Sequence, residues 1–302
     1  MEINLLGFII LLINNHSNER ALKYFIIQSL SSVILIRAAM VTENFTAIKL
    51  HRVINLAIFL KLGAAPFHFW LPIIVEFIRK YQLLFLLTWQ KLAPLFLIFS
   101  LPLNNTIFLF ILCSLIRGSL RSINEIRIFT LITYSSINHT GWILLAMLCN
   151  EITSLIYFIV YTLLIFTVIS PVNNKNSQIT WIIQNSSKYI IFLNLLSLGG
   201  LPPFTGFVIK WILITEIYFI INNIINFIII LTSIILLYFY LRICTNRFFK
   251  NKLFILNTTK IKKQDVLIYS IINISGFYLI LICIISISST LSFYLKRKFI
   301  VL

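Results

Sequence analysis

The sequence predicts an all-α membrane protein, a single antiporter-like bundle of about ten transmembrane helices, two of them broken. The chain has 302 residues, of which 60% are hydrophobic and 11% charged, and its mean hydropathy is +0.99. A soluble domain cannot bury that much apolar surface, so most segments are expected to face lipid. The loops are short, which predicts one domain over residues 1–302 without a linker.

The apolar segments follow one another along the whole chain, and a tilted span needs roughly 17–25 residues. In chain order they are 21–42, 47–65, 82–101, 105–121, 126–148, 150–170, 188–203, 206–222, 225–245 and 267–293. The polar stretch from Pro171 to Lys188 is the longest loop and is expected to divide the two halves.

The first apolar run, Glu2 to Ile13, is too short to cross alone. As a helix it would span about 18 Å, against a hydrocarbon core of roughly 30 Å. Two explanations remain open. Either it is an interfacial helix, or the first helix is incomplete at its N-terminus.

Glycine and proline interrupt two of the segments. The first interruption follows Lys61, where Pro66 and Pro72 bracket an aromatic stretch; the second is Ser197–Gly206, followed by Lys210. Lipid cannot satisfy the backbone groups that such breaks release, so the breaks are expected to line protein or a watery cavity. Interrupted helices in the two halves of a transporter indicate its transport path.

Each of three lysines lies in or beside these apolar runs. Lys91 lies near the middle of the run from Tyr81 to Leu103, where an ammonium costs roughly 2.5–3.5 kcal/mol and is too deep to reach the surface. The alternative for Lys91 is a structural salt bridge. Lys61 and Lys210 could reach an interface instead, but each accompanies one break, which favours a functional role for both.

Two histidines are further candidates. His68 and His139 fall at membrane depth, where an imidazole can relay a proton near neutral pH. The alternative for each is an interhelical hydrogen bond. Most carboxylates fall at segment edges. Glu2, judged by its own position, is interpreted as part of the N-terminus.

The formal net charge of +17 does not indicate a nucleic-acid-binding protein. Basic residues cluster between or after apolar runs, as in Lys260–Lys263 and Lys296–Lys298, a placement typical of orientation and lipid-headgroup signals. The chain contains no Walker A sequence, no glycine-rich dinucleotide motif and no cysteine-ligand spacing. We therefore expect no nucleotide, flavin, haem, iron–sulfur or metal site in it.

A series of short motifs follows the same order as in one known family. The motifs are Glu2–Leu6, Leu22–Phe25 with Gln28, Lys61–Pro72, Thr88–Pro94, Ser135–His139 with Gly141 and Trp142, Leu196–Phe204 with Gly206, Lys210 with Trp211, and Tyr240–Arg242. In these residues the chain resembles NADH-ubiquinone oxidoreductase chain 2, the antiporter-like membrane subunit of respiratory complex I. The likeness extends over nearly the whole sequence.

The resemblance implies a line of protonatable groups, Glu2, Lys61, Lys91 and Lys210, along the middle of the membrane. It also implies a multi-pass protein of the mitochondrial inner membrane that takes part in proton translocation with other complex I membrane subunits, the lipid bilayer and internal water. NADH, FMN, iron–sulfur clusters and ubiquinone would belong to the complex and not to this chain. The alternatives are a cation/proton antiporter subunit and a structural spacer of the complex.

Overall fold

The structure, a computed structural model, describes residues 2–13, 18–40, 47–76, 78–101, 105–125, 127–170, 172, 185–202, 204–218 and 223–250. Every regular element in those ranges is helical, which confirms the predicted all-α class. The helices are α1 (Glu2–Ile13), α2 (Asn18–Met40), α3 (Ala47–Leu62), α4 (Trp70–Val75), α5 (Lys80–Leu87), α6 (Trp89–Phe99), α7 (Asn105–Ser122), α8 (Ile128–Cys149), α9 (Glu151–Ile169), α10 (Asn185–Gly199), α11 (Thr205–Tyr218) and α12 (Asn223–Lys250).

Five stretches of the described chain are long and apolar enough to cross a membrane. They are Glu19–Met40, His51–Val75, Lys80–Phe99, Glu151–Ile169 and Asn223–Arg242. The predicted span at 267–293 lies outside the described residues, as does most of the predicted dividing loop.

Helix α8 is the centre of the bundle. Every residue from Phe129 to Met147 except Tyr134 is buried, as expected for a helix surrounded by other helices. Gly118 and Gly141 allow α7 to pack closely against it, because a Cβ at Gly118 would lie 2.6 Å from the backbone nitrogen of Asn138. Close approach at small residues is typical of helix packing in membranes.

Two polar contacts bring four helix ends together on one side of the bundle. Arg127, before α8, pairs with Glu76, after α4, at 3.2 Å, and the Lys80 ammonium at the start of α5 donates to the Ser170 carbonyl after α9 at 3.3 Å. Ser136 lies eight residues into α8, about 12 Å from this side at 1.5 Å per residue. That depth is close to the middle of a hydrocarbon core roughly 30 Å thick.

Helix α1 lies along α5 and runs antiparallel to it. Gln82 donates to the Leu11 carbonyl at 2.5 Å, and Phe8 stacks on Phe85 with 5.8 Å between ring centroids. Gln90 donates to the Asn4 carbonyl at 3.1 Å. These contacts follow the length of α1, so α1 packs lengthwise against α5 and the start of α6.

Both predicted interruptions are present. The first separates α3 from α4 and contains Gly63, whose φ of +66° favours glycine. The second separates α10 from α11 and contains Gly200, with φ +85°. Each turn therefore depends on a glycine beside one of the candidate lysines.

A third interruption, not predicted, divides the run around Lys91. Helix α5 ends at Leu87 and α6 begins at Trp89, with Thr88 between them at φ −114° and ψ −72°. Pro94, inside α6, has no N–H for the Gln90 carbonyl four residues earlier and crowds it, so it indicates a bend close to Lys91 but does not itself account for the break at Thr88. As a result, all three candidate lysines lie within a few residues of a break.

Candidate functional site

Lys91 is buried among neutral polar groups. Its side chain is 2% exposed, and its Nζ donates to the Ser136 carbonyl at 3.2 Å and to the Tyr161 hydroxyl at 3.4 Å. The Tyr161 ring centroid lies 5.3 Å from the same Nζ. Among the described residues no carboxylate pairs with Lys91, so the structure does not show the structural salt bridge that was the alternative.

Lys210 is buried at the second predicted break. Its Nζ donates to the carbonyls of Leu198 and Gly199, each at 3.0 Å. These carbonyls belong to the last turn of α10, where the helix dipole is negative and stabilises a cation. The ammonium also lies 5.8 Å from the Trp142 ring, a cation–π geometry.

One face of α8 connects the two lysines. Ser136, His139 and Trp142 are each three residues apart, so they lie on the same side of the helix. Ser136 contacts Lys91 and Trp142 contacts Lys210. The distance along α8 between these two contact points is about 9 Å.

A small cavity lies between α8, α9 and α11. His139, Tyr157, Tyr161 and Lys210 supply the polar part of its wall, and the apolar lining comes from Val160, Leu164, Leu198, Gly206 and Ile209. Its volume of about 10 Å³ is roughly the room that one water molecule needs.

His139 has one ring nitrogen engaged, and the other has no hydrogen-bond partner in the part of the chain that the structure describes. Its Nδ1 lies 2.9 Å from the Tyr157 hydroxyl. Its Nε2 is buried and has no hydrogen-bond partner among the described residues. A buried polar atom in a wall with other polar groups is a suitable partner for a cavity water.

Lys61 and His68 lie at the first break. Lys61 is 9% exposed and lies in the last turn of α3, which packs against α6, the helix of Lys91. His68 is buried, and its Nδ1 lies 3.1 Å from the Pro66 carbonyl. The edge of its ring approaches Tyr134 on α8, with 6.3 Å between centroids. The first break thus reaches the helix that carries Ser136 and His139.

Glu2 begins α1, and its side chain lies outside the described residues. The first turn of α1 is beside the third interruption, because Trp89 and Gln90 both hydrogen-bond to Asn4. This turn is therefore at the depth of Lys91.

Sequence reasoning missed the two tyrosines of α9. Tyr157 and Tyr161 are four residues apart, on one face of an apolar helix, and both are buried. The available signal was that spacing, since a buried tyrosine hydroxyl usually has a hydrogen-bond partner. Within the described ranges, no three histidine, cysteine, aspartate or glutamate side chains gather as a metal site would require.

Residues 1–236 match the family described as NADH:quinone oxidoreductase/Mrp antiporter, TM. NADH-ubiquinone oxidoreductase chain 2 of Anopheles gambiae is 39% identical, over 93% of this chain and 89% of the relative. NADH-ubiquinone oxidoreductase chain 2 of Aedes aegypti is 40% identical, over 80% of this chain and 76% of the relative. The same subunit of Papio hamadryas is 38% identical, again over 80% of this chain and 76% of the relative.

The fold is also similar to chains of larger membrane complexes. In respiratory complex I from Thermus thermophilus the TM-score is 0.67 at 21% identity, over 88% of this chain and 66% of that chain. For a chain of the Mrp complex from Dietzia sp. the TM-score is 0.66 at 15% identity, over 76% of this chain and 50% of that chain. The chain thus spans two thirds or less of these neighbours' length. The match over residues 1–236 and the three relatives show that the chain belongs to the NADH-ubiquinone oxidoreductase chain 2 family, within the wider antiporter-like membrane family.

Proposed function

We propose that this chain is a membrane subunit of NADH-ubiquinone oxidoreductase, respiratory complex I, and takes part in proton translocation coupled to NADH oxidation and ubiquinone reduction. Family membership supports the assignment to the complex. The observation that carries the proton-translocating role is the pair of buried ammonium groups, Lys91 and Lys210, held by neutral partners at either end of one α8 face.

Buried ammonium groups without carboxylate partners suit proton exchange. Among the described residues no ion pair neutralises their charge, so gain or loss of a proton changes the local electrostatic energy strongly. At an effective dielectric constant near 20, two ammonium groups about 10–15 Å apart repel by an energy on the order of 1–2 kcal/mol. Charging Lys210 therefore favours release of a proton from Lys91, and the reverse.

His139 is the group that transfers a proton between the lysines in this proposal. It lies between Ser136 and Trp142 on the connecting face, and its Nδ1 is engaged by Tyr157. Its Nε2 is then the nitrogen that exchanges protons with a cavity water. An imidazole is suited to this step because it accepts and releases a proton near neutral pH.

Lys61, His68 and Glu2 extend the path beyond Lys91. Lys61 and His68 occupy the first break, and the first turn of α1 contacts the residues that precede Lys91. In this proposal the chain has no redox centre, and NADH, FMN, the iron–sulfur clusters and ubiquinone react elsewhere in the complex. Its location is the mitochondrial inner membrane, and its partners are other complex I membrane subunits, lipid, protons and internal water.

Replacing Lys91 by methionine in the assembled complex tests the proposal. Methionine keeps most of the side-chain volume and removes the charge and the exchangeable protons. We expect fewer protons to be translocated per NADH oxidised. Where proton pumping limits the rate of ubiquinone reduction, we expect that rate to fall instead. The matched control is Lys23→Met on the exposed surface of α2, which should leave both unchanged.

A structural spacer gives a different result. If Lys91→Met and Lys210→Met lower the amount of assembled complex but leave the rate and the proton yield of each assembled complex unchanged, the pumping role is wrong.

A further inference from the structure

Tyr161 lies between Lys91 and the cavity. Its hydroxyl accepts a hydrogen bond from the Lys91 ammonium at 3.4 Å. The same side chain lines the cavity, together with His139 and Lys210. Among the described residues, Lys91 does not line the cavity. Tyr161 does, and it is the cavity residue to which Lys91 hydrogen-bonds.

We propose that the Tyr161 phenol is the relay group that carries protons between Lys91 and the cavity water that leads to His139 and Lys210. This inference rests on the proposed function and identifies the step that joins its two halves. The supporting geometry is the Lys91–Tyr161 hydrogen bond on one side and the cavity wall on the other.

The chemistry requires no charged tyrosine at rest. A hydroxyl accepts through its oxygen lone pairs and donates its single proton, so accepting from Lys91 leaves that proton to be donated. The Ser136 side chain also hydrogen-bonds Tyr161, so in the transfer the phenol O–H turns from Ser136 to the cavity water. In the transfer, an N–H bond of the Lys91 ammonium breaks and a new O–H bond forms on Tyr161. The original phenol proton passes to the cavity water, which gives one of its protons to His139 Nε2. Nε2 accepts it in the tautomer whose Nδ1–H donates to the Tyr157 hydroxyl. Lys91 ends neutral, His139 ends as imidazolium, and Tyr161 and the water are unchanged in composition.

Tyr157 has a different position, although it is one turn away on the same face of α9. Its hydroxyl bonds to His139 Nδ1, and its ring stacks on Trp142 with 6.5 Å between centroids. The described contacts do not join it to Lys91. Tyr157 therefore orients the imidazole, and the transfer from Lys91 is assigned to Tyr161.

The Tyr161 ring also packs against both His139 and Lys91. Its centroid is 5.1 Å from the His139 ring and 5.3 Å from Lys91 Nζ, so one aromatic ring contacts both groups. Tyr161→Phe keeps this packing and removes only the hydroxyl. It is the cleanest variant for separating proton transfer from packing.

The experiment measures ubiquinone-linked NADH oxidation and protons translocated per NADH, each normalised to the amount of assembled complex. Oxidation of NADH by ferricyanide serves as an internal reference that does not require this membrane subunit. For Tyr161→Phe we expect the ubiquinone-linked rate to fall by about tenfold or more, as for loss of a positioned acid–base group. Tyr238→Phe, the same change on the exposed surface of α12, should have no effect.

A second variant separates the relay from a packing role. Histidine at this position accepts and donates a proton but fits less well than phenylalanine. The relay therefore predicts a higher rate for Tyr161→His than for Tyr161→Phe, and a packing role predicts the opposite order. A Tyr161→Phe rate equal to that of the unmodified complex, or a Tyr161→His rate at or below that of Tyr161→Phe, would overturn the inference.

The Lys91→Met variant, measured in the same series, identifies which proposal has failed. If Lys91→Met reduces pumping and Tyr161→Phe does not, the relay assignment alone is wrong. If neither change affects pumping, the proposed function fails as well.

Discussion

Ser136 and Trp142 lie six residues apart on one face of α8, and each contacts a different buried lysine. The Ser136 carbonyl accepts from Lys91, and the Trp142 ring faces Lys210. His139 lies midway between them. One helix, α8, therefore provides the contact points for two ammonium groups that come from α6 and α11. Small movements of α6 or α11 would change the contacts of Lys91 or Lys210 with α8 but would leave the spacing of Ser136, His139 and Trp142 unchanged.

Replacing His139 by glutamine should slow proton transfer between the lysines. Glutamine can keep a hydrogen bond to Tyr157 but cannot take up a proton, so the ubiquinone-linked rate of the assembled complex should fall by roughly tenfold or more. His51→Gln at the start of α3, away from the cavity, is the matched control. An unchanged rate for His139→Gln would leave only the interhelical hydrogen bond as its role.

Lys210→Arg should preserve assembly and abolish pumping. A guanidinium can donate to the Leu198 and Gly199 carbonyls and face Trp142, but it stays protonated in proteins. A role that needs only a positive charge at the end of α10 would tolerate arginine, so normal proton translocation by this variant would contradict proton exchange at Lys210. Lys80→Arg, where the ammonium donates to Ser170, is expected to behave like the unmodified protein.

Gly118→Ala should destabilise the contact between α7 and α8. The added Cβ would lie 2.6 Å from the Asn138 nitrogen and 2.8 Å from its Cβ, so the helices must separate. Overpacking of this kind costs about 1–3 kcal/mol, which should lower both the thermal stability and the yield of the complex. Gly7→Ala on α1 is the control, because a Cβ there would meet nothing within 4 Å. Equal stability for the two variants would mean that α7 and α8 do not pack as described.

Glu76→Gln should have little effect on stability. The carboxylate pairs with Arg127 at 3.2 Å, but the side chains are 41% and 39% exposed. Exposed ion pairs typically contribute about 0.2–1 kcal/mol, and salt screens them. Thermal unfolding at low and high ionic strength measures the difference, and a large loss at both would show that this pair holds the helix ends together.

The sequence alone located the lysines because a charge in an apolar run is visible locally. The two glycine- and proline-rich breaks were equally local signals. By contrast, the interruption at Thr88 was missed, since Pro94 lies inside a segment that otherwise reads as a continuous span. Likewise the four-residue spacing of Tyr157 and Tyr161 predicts a shared helix face. It does not predict that this face packs beside Lys91 and His139, which is a tertiary contact.

Glu2 shows the opposite situation. The resemblance pointed to it, whereas residue-level reasoning read it as part of the terminus. The packing of α1 along α5 brings its turn to the depth of Lys91, through contacts between residues more than eighty positions apart in the chain. Such contacts are beyond the reach of periodicity or composition.

The size of the cavity has a consequence for ion selectivity. With space for about one water molecule, the cavity beside Tyr161 and Lys210 is small compared with a hydrated sodium ion. Stripping that shell would require several oxygen ligands, and the described wall offers mainly apolar groups, an imidazole, two phenols and a cation. A proton needs only a chain of hydrogen bonds. The proposed proton route between the two lysines therefore predicts selectivity for protons over alkali cations, and translocation measured with and without sodium checks it.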